Sequence, residues 1–553
     1  MTAALVLPSA DDPVVAGAVQ VVGGPPGRHA RLDGRRFWTP VRVLIALTLL
    51  TSVLGYAQKL PCRDGSNWVN EYQYTRACYT DVVALYGAEG LSAGQTPYYD
   101  HPVEYPVVIG AVMQVSSVLA RGVDTLLPDD GRERAALTRL RKANASPSTD
   151  AAAVKERTDA ASAVEYARGL ARSRFFYDLT WLLVTACALV VVVTTAKLAG
   201  RRVWDAALFA LAPGLLLHAT TNWDLVAMAL TGLGLLAWAR SRPLLAGTLL
   251  GLATATKLYP ILFLVPLLFL CARAGKWRAW VAAAVMTVVA AVAVTAPVYL
   301  TAPSFVERQG QQVKVLGSPL DRLGSQGLGA LRPRQRVGDE IAVNSVYRFF
   351  ELNQTRGADW DSLYHQAQHL RTSDGHLKDL RGTVADWFTD SGPTPTKLNR
   401  WVAVMVVLVL AGVGLLVFRA PRRPRVPQVL FLTLTGFLLV NKVDSPQYVL
   451  WLLPLAALAN PRWRPFLAWQ AAEALVLLSR FYFFIGNDKP GEGIDNGWFF
   501  AAIWLRDLLL LAFAAYVVRD VLHPEHDPVR RDGADDPAGG VLDGAADRVA
   551  SLA

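Results

Sequence analysis

Long charge-free stretches, repeated along the chain and separated by short basic clusters, constrain this sequence more than any other feature. A helix needs roughly 20 consecutive apolar residues to cross a bilayer. Candidate runs are 41–58, 175–199, 203–219, 223–239, 243–258, 259–273, 279–300, 400–418, 427–441, 447–459, 465–485 and 499–518. Between them lie Gly200-Arg201-Arg202, Arg240-Ser241-Arg242, the stretch Arg273 to Arg278, the stretch Arg419 to Arg423, and Arg462-Trp463-Arg464. Placing these clusters in the cytoplasm predicts an all-α polytopic membrane protein with about 12 crossings and both termini cytoplasmic.

The composition agrees: 53% of residues are apolar and only 18% charged. The net charge of +10 sits beside the apolar runs, so it encodes orientation and does not point to a nucleic-acid partner. Residues 1–36, rich in Gly, Pro and Ala, read as a disordered cytoplasmic tail before an uncleaved anchor, with Arg28, Arg31, Arg35 and Arg36 at its end. Residues 519–553 read as a second disordered cytoplasmic tail. The expected divisions are a membrane module 37–300 containing an external loop 59–174, an extracytoplasmic segment 301–399, and a second set of membrane helices 400–518.

The apolar run 103–127 is one span too many. If it crossed, every later basic cluster would face outward, so parity places it in the outer interface. The stretch 132–174 reads as surface helix, interrupted near Ser146-Pro147-Ser148. No repeat of fixed period and no inverted duplication stands out.

Charge at membrane depth is costly, so polar residues near span ends are functional candidates. In this topology they collect on the outer side: Asp81, then His101, Glu104 and Tyr105, then His218, Asn222 and Asp224 in one turn. Lys257 with Tyr259, and the stretch Asn441 to Tyr448 with Lys442, Gln447 and Tyr448 before Trp451, complete the set. Lys257 and Lys442 suit a lipid phosphate at headgroup depth, and a nearby carboxylate suits proton abstraction from a hydroxyl. No nucleotide-binding motif is present.

Each residue has a plainer reading. Asp81 could cap the helix beginning at Val82. The lysines could be snorkelling anchors, and Asp224 with His218 could cap a helix and satisfy a turn. Gln447, Tyr448 and Trp451 suit an aromatic belt or stacking on a sugar. Asn344 and Arg348 are acceptor-contact candidates on an otherwise ordinary surface helix. Cys62 and Cys78 flank a polar loop beyond the first run and are expected to form a disulfide in an oxidising compartment. His218 and Asp224 are too few for a metal site of their own.

Four stretches carry a resemblance: Tyr79-Thr80-Asp81-Val82-Val83-Ala84-Leu85-Tyr86 with Gly94-Gln95-Thr96-Pro97-Tyr98; Glu104-Tyr105-Pro106; Leu245-Ala246-Gly247 through Lys257-Leu258-Tyr259-Pro260; and Ser445-Pro446-Gln447-Tyr448 through Trp451 and Pro454. In this order the chain resembles the GT-C superfamily of integral-membrane glycosyltransferases, most closely its actinobacterial polyprenyl-phosphate-mannose-dependent α-mannosyltransferases. The resemblance implies that Asp81 is the catalytic base and that interfacial helices lie between the first two spans. It also implies a polyprenyl-phosphate-linked sugar donor, an extracytoplasmic glycan or glycolipid acceptor, a site on the outer face of the plasma membrane, and surrounding membrane lipids as partners. Val107 stands where a second proline is common, and Asn344-Ser345-Val346-Tyr347 is a faint match.

The expected function is sugar transfer, most readily of mannose, with inversion. Asp81 acts as base and Lys442 and Lys257 hold the leaving phosphate. No cofactor is required by these residues; a divalent cation is compatible with them. The alternatives are a decaprenyl-phosphate-arabinose-dependent arabinofuranosyltransferase, a flippase for lipid-linked sugars, or a silent scaffold for envelope enzymes.

Overall fold

The computed structural model describes residues 5–6, 12–21, 38–66, 68, 71–122, 131–145, 151–370, 387, 389–390, 394–489 and 491–548. The chain is a helical polytopic membrane protein. Five described helices are long and apolar enough to cross a membrane: Pro40–Asp64, Ala152–Leu198, Trp277–Thr301, Thr396–Arg419 and Asn496–Leu522. Val107–Gly122, Asp224–Ala239, Pro243–Thr254, Tyr259–Ala274, Val426–Val440 and Pro446–Ala459 are apolar but shorter.

Local chemistry explains several boundaries. The run 203–219 is not one helix but the pieces Val203–Ala206, Ala207–Ala210 and Pro213–His218. Pro213 has no N–H to continue a ladder, so the helix restarts there. Helix Leu264–Ala274 ends at Gly275, whose φ of 67° is the left-handed conformation glycine adopts freely. The surface stretch after Ala151 runs straight into its span as one helix of 48 residues, Ala151–Leu198. The Ser146-Pro147-Ser148 interruption lies outside the described residues.

The chain divides into two compact units. The first comprises Met1–Gln58, Val184–Pro297 and Phe349–Ala553; the second comprises Lys59–Leu183 and Val298–Arg348. These boundaries cut across the expected divisions at 37–300, 301–399 and 400–518. Within the segment 301–399, residues up to Arg348 fall in the second unit and those from Phe349 in the first.

In the first unit, Gly247 and Gly251 let helix Pro243–Thr254 pack backbone to backbone on Trp277–Thr301. A Cβ on either glycine would collide with the carbonyl oxygen of Ala283 or Thr287. Such close approach supplies the packing that lipid-exposed helices cannot gain from hydrophobicity.

The two tails correct the sequence expectation. Residues 523–548, expected to be disordered, fold into short helical turns at Pro524–His526, Pro528–Arg531 and Gly540–Leu542. The cause is charge, because the acids of this stretch meet arginines between the membrane helices. Arg425 pairs with Asp527 at 2.7 Å, Arg273 with Asp547 at 2.8 Å and Arg422 with Asp535 at 2.7 Å. Arg202 pairs with Asp532, and Asp536 accepts a 2.8 Å bond from the Val426 N–H that opens helix Val426–Val440. Within the amino-terminal tail 1–36, Pro13–Val21 is helical and Asp12 accepts from the Trp463 N–H at 3.0 Å. Arg28, Arg31, Arg35 and Arg36 lie outside the described residues.

In the second unit, Cys62 and Cys78 form a disulfide. Arg63 donates to Asp178 at 2.8 Å, and Tyr86 stacks on Phe176 with centroids 4.5 Å apart. The unit also holds an antiparallel sheet of β1 (Ser304–Arg308), β2 (Gln311–Leu316), β3 (Arg334–Val337) and β4 (Glu340–Asn344), in the order β2-β1-β4-β3. Gln309 and Gly310, with φ of 52° and 77°, make the tight turn of the first hairpin, the conformation that matches strand twist. Helix Val107–Gly122 falls within the run 103–127; positions 123–127 lie outside the described residues.

Candidate functional site

The Asp81 segment belongs to the second unit. Helix Asp81–Ala88 is capped by Thr80, whose side-chain oxygen accepts from the Val82 N–H at 3.2 Å. Thr80 therefore does the capping that Asp81 had been open to, and Asp81 is the first residue of the helix. Its half-buried carboxylate lies where the helix dipole favours an anion. The Tyr79 hydroxyl donates to Asp81 Oδ1 at 2.7 Å. Buried Lys59 donates to the Tyr79 carbonyl at 2.9 Å and lies in the field of Asp81. The Cys62–Cys78 bridge and a 2.9 Å bond from Trp68 Nε1 to the Cys78 carbonyl brace the approach to this segment. The Tyr79 hydroxyl thus orients the carboxylate, and a positioned carboxylate is what a general base needs.

Glu104 and Tyr105, also in this unit, are placed through their main chain. The Glu104 N–H donates to Glu89 at 3.3 Å, and the Tyr105 carbonyl accepts from the Tyr98 hydroxyl at 2.9 Å. Asn344 spends its whole amide on backbone: Nδ2 donates to the Tyr299 and Ala302 carbonyls at 3.2 Å each, and Oδ1 accepts from the Val346 N–H at 3.0 Å. With its amide so engaged, Asn344 serves the backbone around it rather than standing open to an acceptor sugar. Arg348 pairs with Glu307 at 2.9 Å.

The lysine-centred cluster belongs to the first unit. Lys257 sits in the turn between Pro243–Thr254 and Tyr259–Phe263, and its Nζ is 2.6 Å from Asp224 Oδ1. It also lies 5.5 Å from the centre of the Tyr448 ring and 5.7 Å from that of Trp451. Asp224 opens helix Asp224–Ala239, and its N–H donates to Asn222 Oδ1 at 2.9 Å. His218 is buried one turn earlier, with Nδ1 3.5 Å from Thr221 Oγ1. The sequence groups His218, Asn222, Asp224, Lys257, Tyr259, Tyr448 and Trp451 as candidates, and contacts within this unit link most of them.

Trp451 carries a correction. It stacks on Tyr448 at 4.1 Å and on Tyr259 at 4.5 Å. Two rings stacked on one indole take its two faces, so Trp451 is the centre of a three-ring pillar and offers no face to a sugar. Tyr259 donates to Thr231 Oγ1 at 3.3 Å. Tyr259 and Trp451 also line an apolar cavity with Val191, Met228, Phe263 and Leu455.

Lys442 lies in the turn between Val426–Val440 and the helix that begins at Pro446. Its Nζ donates to the Arg356 carbonyl, and its own carbonyl accepts from the Asp359 N–H at 2.8 Å. Burial, with Arg356 nearby, pushes its ammonium down to about 8. Gln447 is buried in the short turn Pro446–Tyr448.

Behind this turn stands a charge cluster of which the sequence points only to Asp444, within the stretch Asn441 to Tyr448. Arg506 pairs with Asp444 at 2.8 Å and with Asp507 at 2.7 Å, and Arg480 pairs with Asp361 at 2.6 Å. Glu473 accepts from Trp469 Nε1 at 2.8 Å. Burial pushes the Asp444 and Asp361 carboxyls up to about 6, against the pull of Arg506 and Arg480. The signal was available: Glu473, Arg480, Arg506 and Asp507 are charges inside the runs 465–485 and 499–518, the placement that marks a residue for scrutiny.

Among the described residues, one group could hold a metal ion: His523, Glu525 and His526, all exposed at the start of the folded tail. None of them belongs to either cluster above.

These features define a helical integral-membrane protein with buried ionic clusters beside its membrane helices. Residues 170–314 match the model of glycosyltransferase family 87, a GT-C-type membrane family, and the match supports a GT-C glycosyltransferase. The matched stretch contains His218, Asn222, Asp224, Lys257 and Tyr259; Asp81 and Lys442 fall outside it. No curated protein matches the chain.

Proposed function

We propose that this protein transfers a sugar, most readily mannose, from a polyprenyl-phosphate donor to an extracytoplasmic glycan or glycolipid, with the site on the outer face of the plasma membrane. Asp81 takes the proton of the acceptor hydroxyl. The hydroxyl oxygen bonds to the anomeric carbon as the carbon–oxygen bond to phosphate breaks, and the electron pair leaves with polyprenyl phosphate. Direct displacement inverts the centre, so a β-linked mannosyl donor yields an α-mannoside. Lys257 and Lys442 neutralise the departing phosphate.

The observation that carries this reading is the Lys257–Asp224 pair. An ion pair with its carboxylate 1% exposed, in a unit built of apolar helices, is costly to bury and weak as a source of stability. Its retention beside a tyrosine- and tryptophan-lined wall suits binding an anionic lipid. The family 87 match over this stretch supports the glycosyltransferase class.

The experiment is incubation of membranes with labelled polyprenyl-phosphomannose, following label into lipoglycan. Transfer by the wild type and its loss in Asp81→Asn is expected. Undiminished transfer by Asp81→Asn would remove the proposed base, and transfer of arabinose but not mannose would replace the sugar.

A further inference from the structure

Asp224 spends one carboxylate oxygen on Lys257, at 2.6 Å. Its other oxygen, Oδ2, finds no hydrogen-bond partner among the described residues, although the residue is 2% exposed. Two positions earlier Asn222 is 1% exposed. Its Oδ1 accepts from the Asp224 N–H at 2.9 Å, which fixes the orientation of the amide, so Nδ2 is the end left over. That Nδ2 likewise has no partner among the described residues, and neither does Nε1 of Trp451, whose ring centre lies 5.7 Å from Lys257 Nζ. Buried polar groups are almost always satisfied. Here an acceptor and two donors stay open around one lysine.

We propose that Asn222 and Asp224 form a subsite that reads two hydroxyls of the sugar in a lipid-linked phosphosugar, with Lys257 on the adjoining phosphate. The proposal rests on the glycosyl-transfer reading above and names how the donor is distinguished. A hydroxyl both donates and accepts, so one can donate to Asp224 Oδ2 while its neighbour accepts from Asn222 Nδ2. With both faces of Trp451 taken, discrimination falls to these polar atoms rather than to ring stacking.

The pairing has a consequence for turnover. The donor's phosphate is a diester with one negative charge, whereas the spent prenyl phosphate is a monoester approaching two at neutral pH. Asp224 repels both, and it repels the product more. The donor regains affinity through its hydroxyls and the product cannot, so Asp224 favours exchange of spent carrier for fresh donor.

The test titrates the purified full-length protein in lipid nanodiscs with short-chain prenyl phosphate and with the matching prenyl-phosphomannose. The wild type is expected to bind the sugar-bearing lipid at least tenfold more tightly. Asp224→Asn, nearly the same shape, should bind bare prenyl phosphate about tenfold more tightly and show product inhibition. Asn222→Ser, which keeps a capping oxygen, should weaken the sugar-bearing lipid by roughly 5- to 30-fold, the worth of a hydrogen bond or two, and leave prenyl phosphate unchanged. If both variants keep the wild-type preference, or weaken both lipids equally, the subsite is overturned while the glycosyl-transfer reading stands. If the wild type binds neither lipid, that reading falls and takes the subsite with it.

Discussion

Arg425 and Asp527, 102 residues apart in sequence, meet in a bidentate pair at 2.7 and 3.0 Å, with 2% and 0% of their side chains exposed. The arginine also donates to the Leu458 and Ala459 carbonyls at 2.8 and 2.9 Å. A basic residue just beyond the Arg419 to Arg423 cluster is thus the anchor of a folded chain end.

Removing one partner of a buried pair leaves an uncompensated charge. Asp527→Ala should therefore destabilise the protein by about 3–5 kcal/mol. Glu165→Ala, whose carboxylate is 71% exposed beside Arg172, should cost no more than about 1 kcal/mol. Thermal unfolding in nanodiscs compares the two; equal losses would contradict the role given to burial.

The Cys62–Cys78 bridge closes a loop of sequence separation 16, and the chain-entropy account assigns such a loop about 3 kcal/mol. Replacing both cysteines by serine should lower the melting temperature. Transferase activity should fall further than stability predicts, because the loop leads directly into the Asp81 segment. Activity that merely tracks the folded fraction would limit the bridge to a stabilising role.

For Asp81, general-base chemistry predicts a loss of about 10²–10⁴ in turnover on substitution by asparagine. Donor binding should be unchanged. Tyr79→Phe, which removes the hydroxyl 2.7 Å from Oδ1, should cost on the order of tenfold. Single-turnover measurements separate these effects from binding.

The Lys442 ammonium, pushed down to about 8 from an ordinary 10.5, makes a pH prediction with a definite sign. The folded value lies below the unfolded one, so between these values the unfolded chain holds more protons and stability rises with pH. Donor affinity, which needs the ammonium, should fall as pH passes about 8. Lys442→Arg, charged throughout, should flatten that limb. A donor KM independent of pH from 7 to 9 in the wild type would count against phosphate binding by Lys442.

At the ring pillar, Trp451→Ala should cost about 3–5 kcal/mol through the cavity it leaves. Trp451→Phe should retain a stack with Tyr448 and Tyr259 and leave the donor KM within a few-fold. A large KM effect from the phenylalanine variant with stability intact would restore sugar contact by the indole.

Much of the architecture was legible in local pattern. The long apolar runs became helices, and the turns holding Asp224 and Lys257 emerged from polar residues standing where lipid would reject them. The break at Pro213 was visible in principle, since proline cannot continue a helix. The tails misled because a stretch rich in Asp, Gly and Pro reads as solvated whenever its partners are unknown.

Sequence by itself determined the membrane class, the helix-rich fold and the residue types suited to an anionic lipid, because hydrophobic length and intramembrane charge are local properties. Tertiary structure alone decided which charges neutralise each other. It gave Asp224 to Lys257, Asp527 to Arg425 and Asp444 to Arg506. It also closed both faces of Trp451 and used up the amide of Asn344. The reason is physical: the free energy of a buried charge depends on what lies within a few ångströms of it, and residues far apart along the chain supply those neighbours.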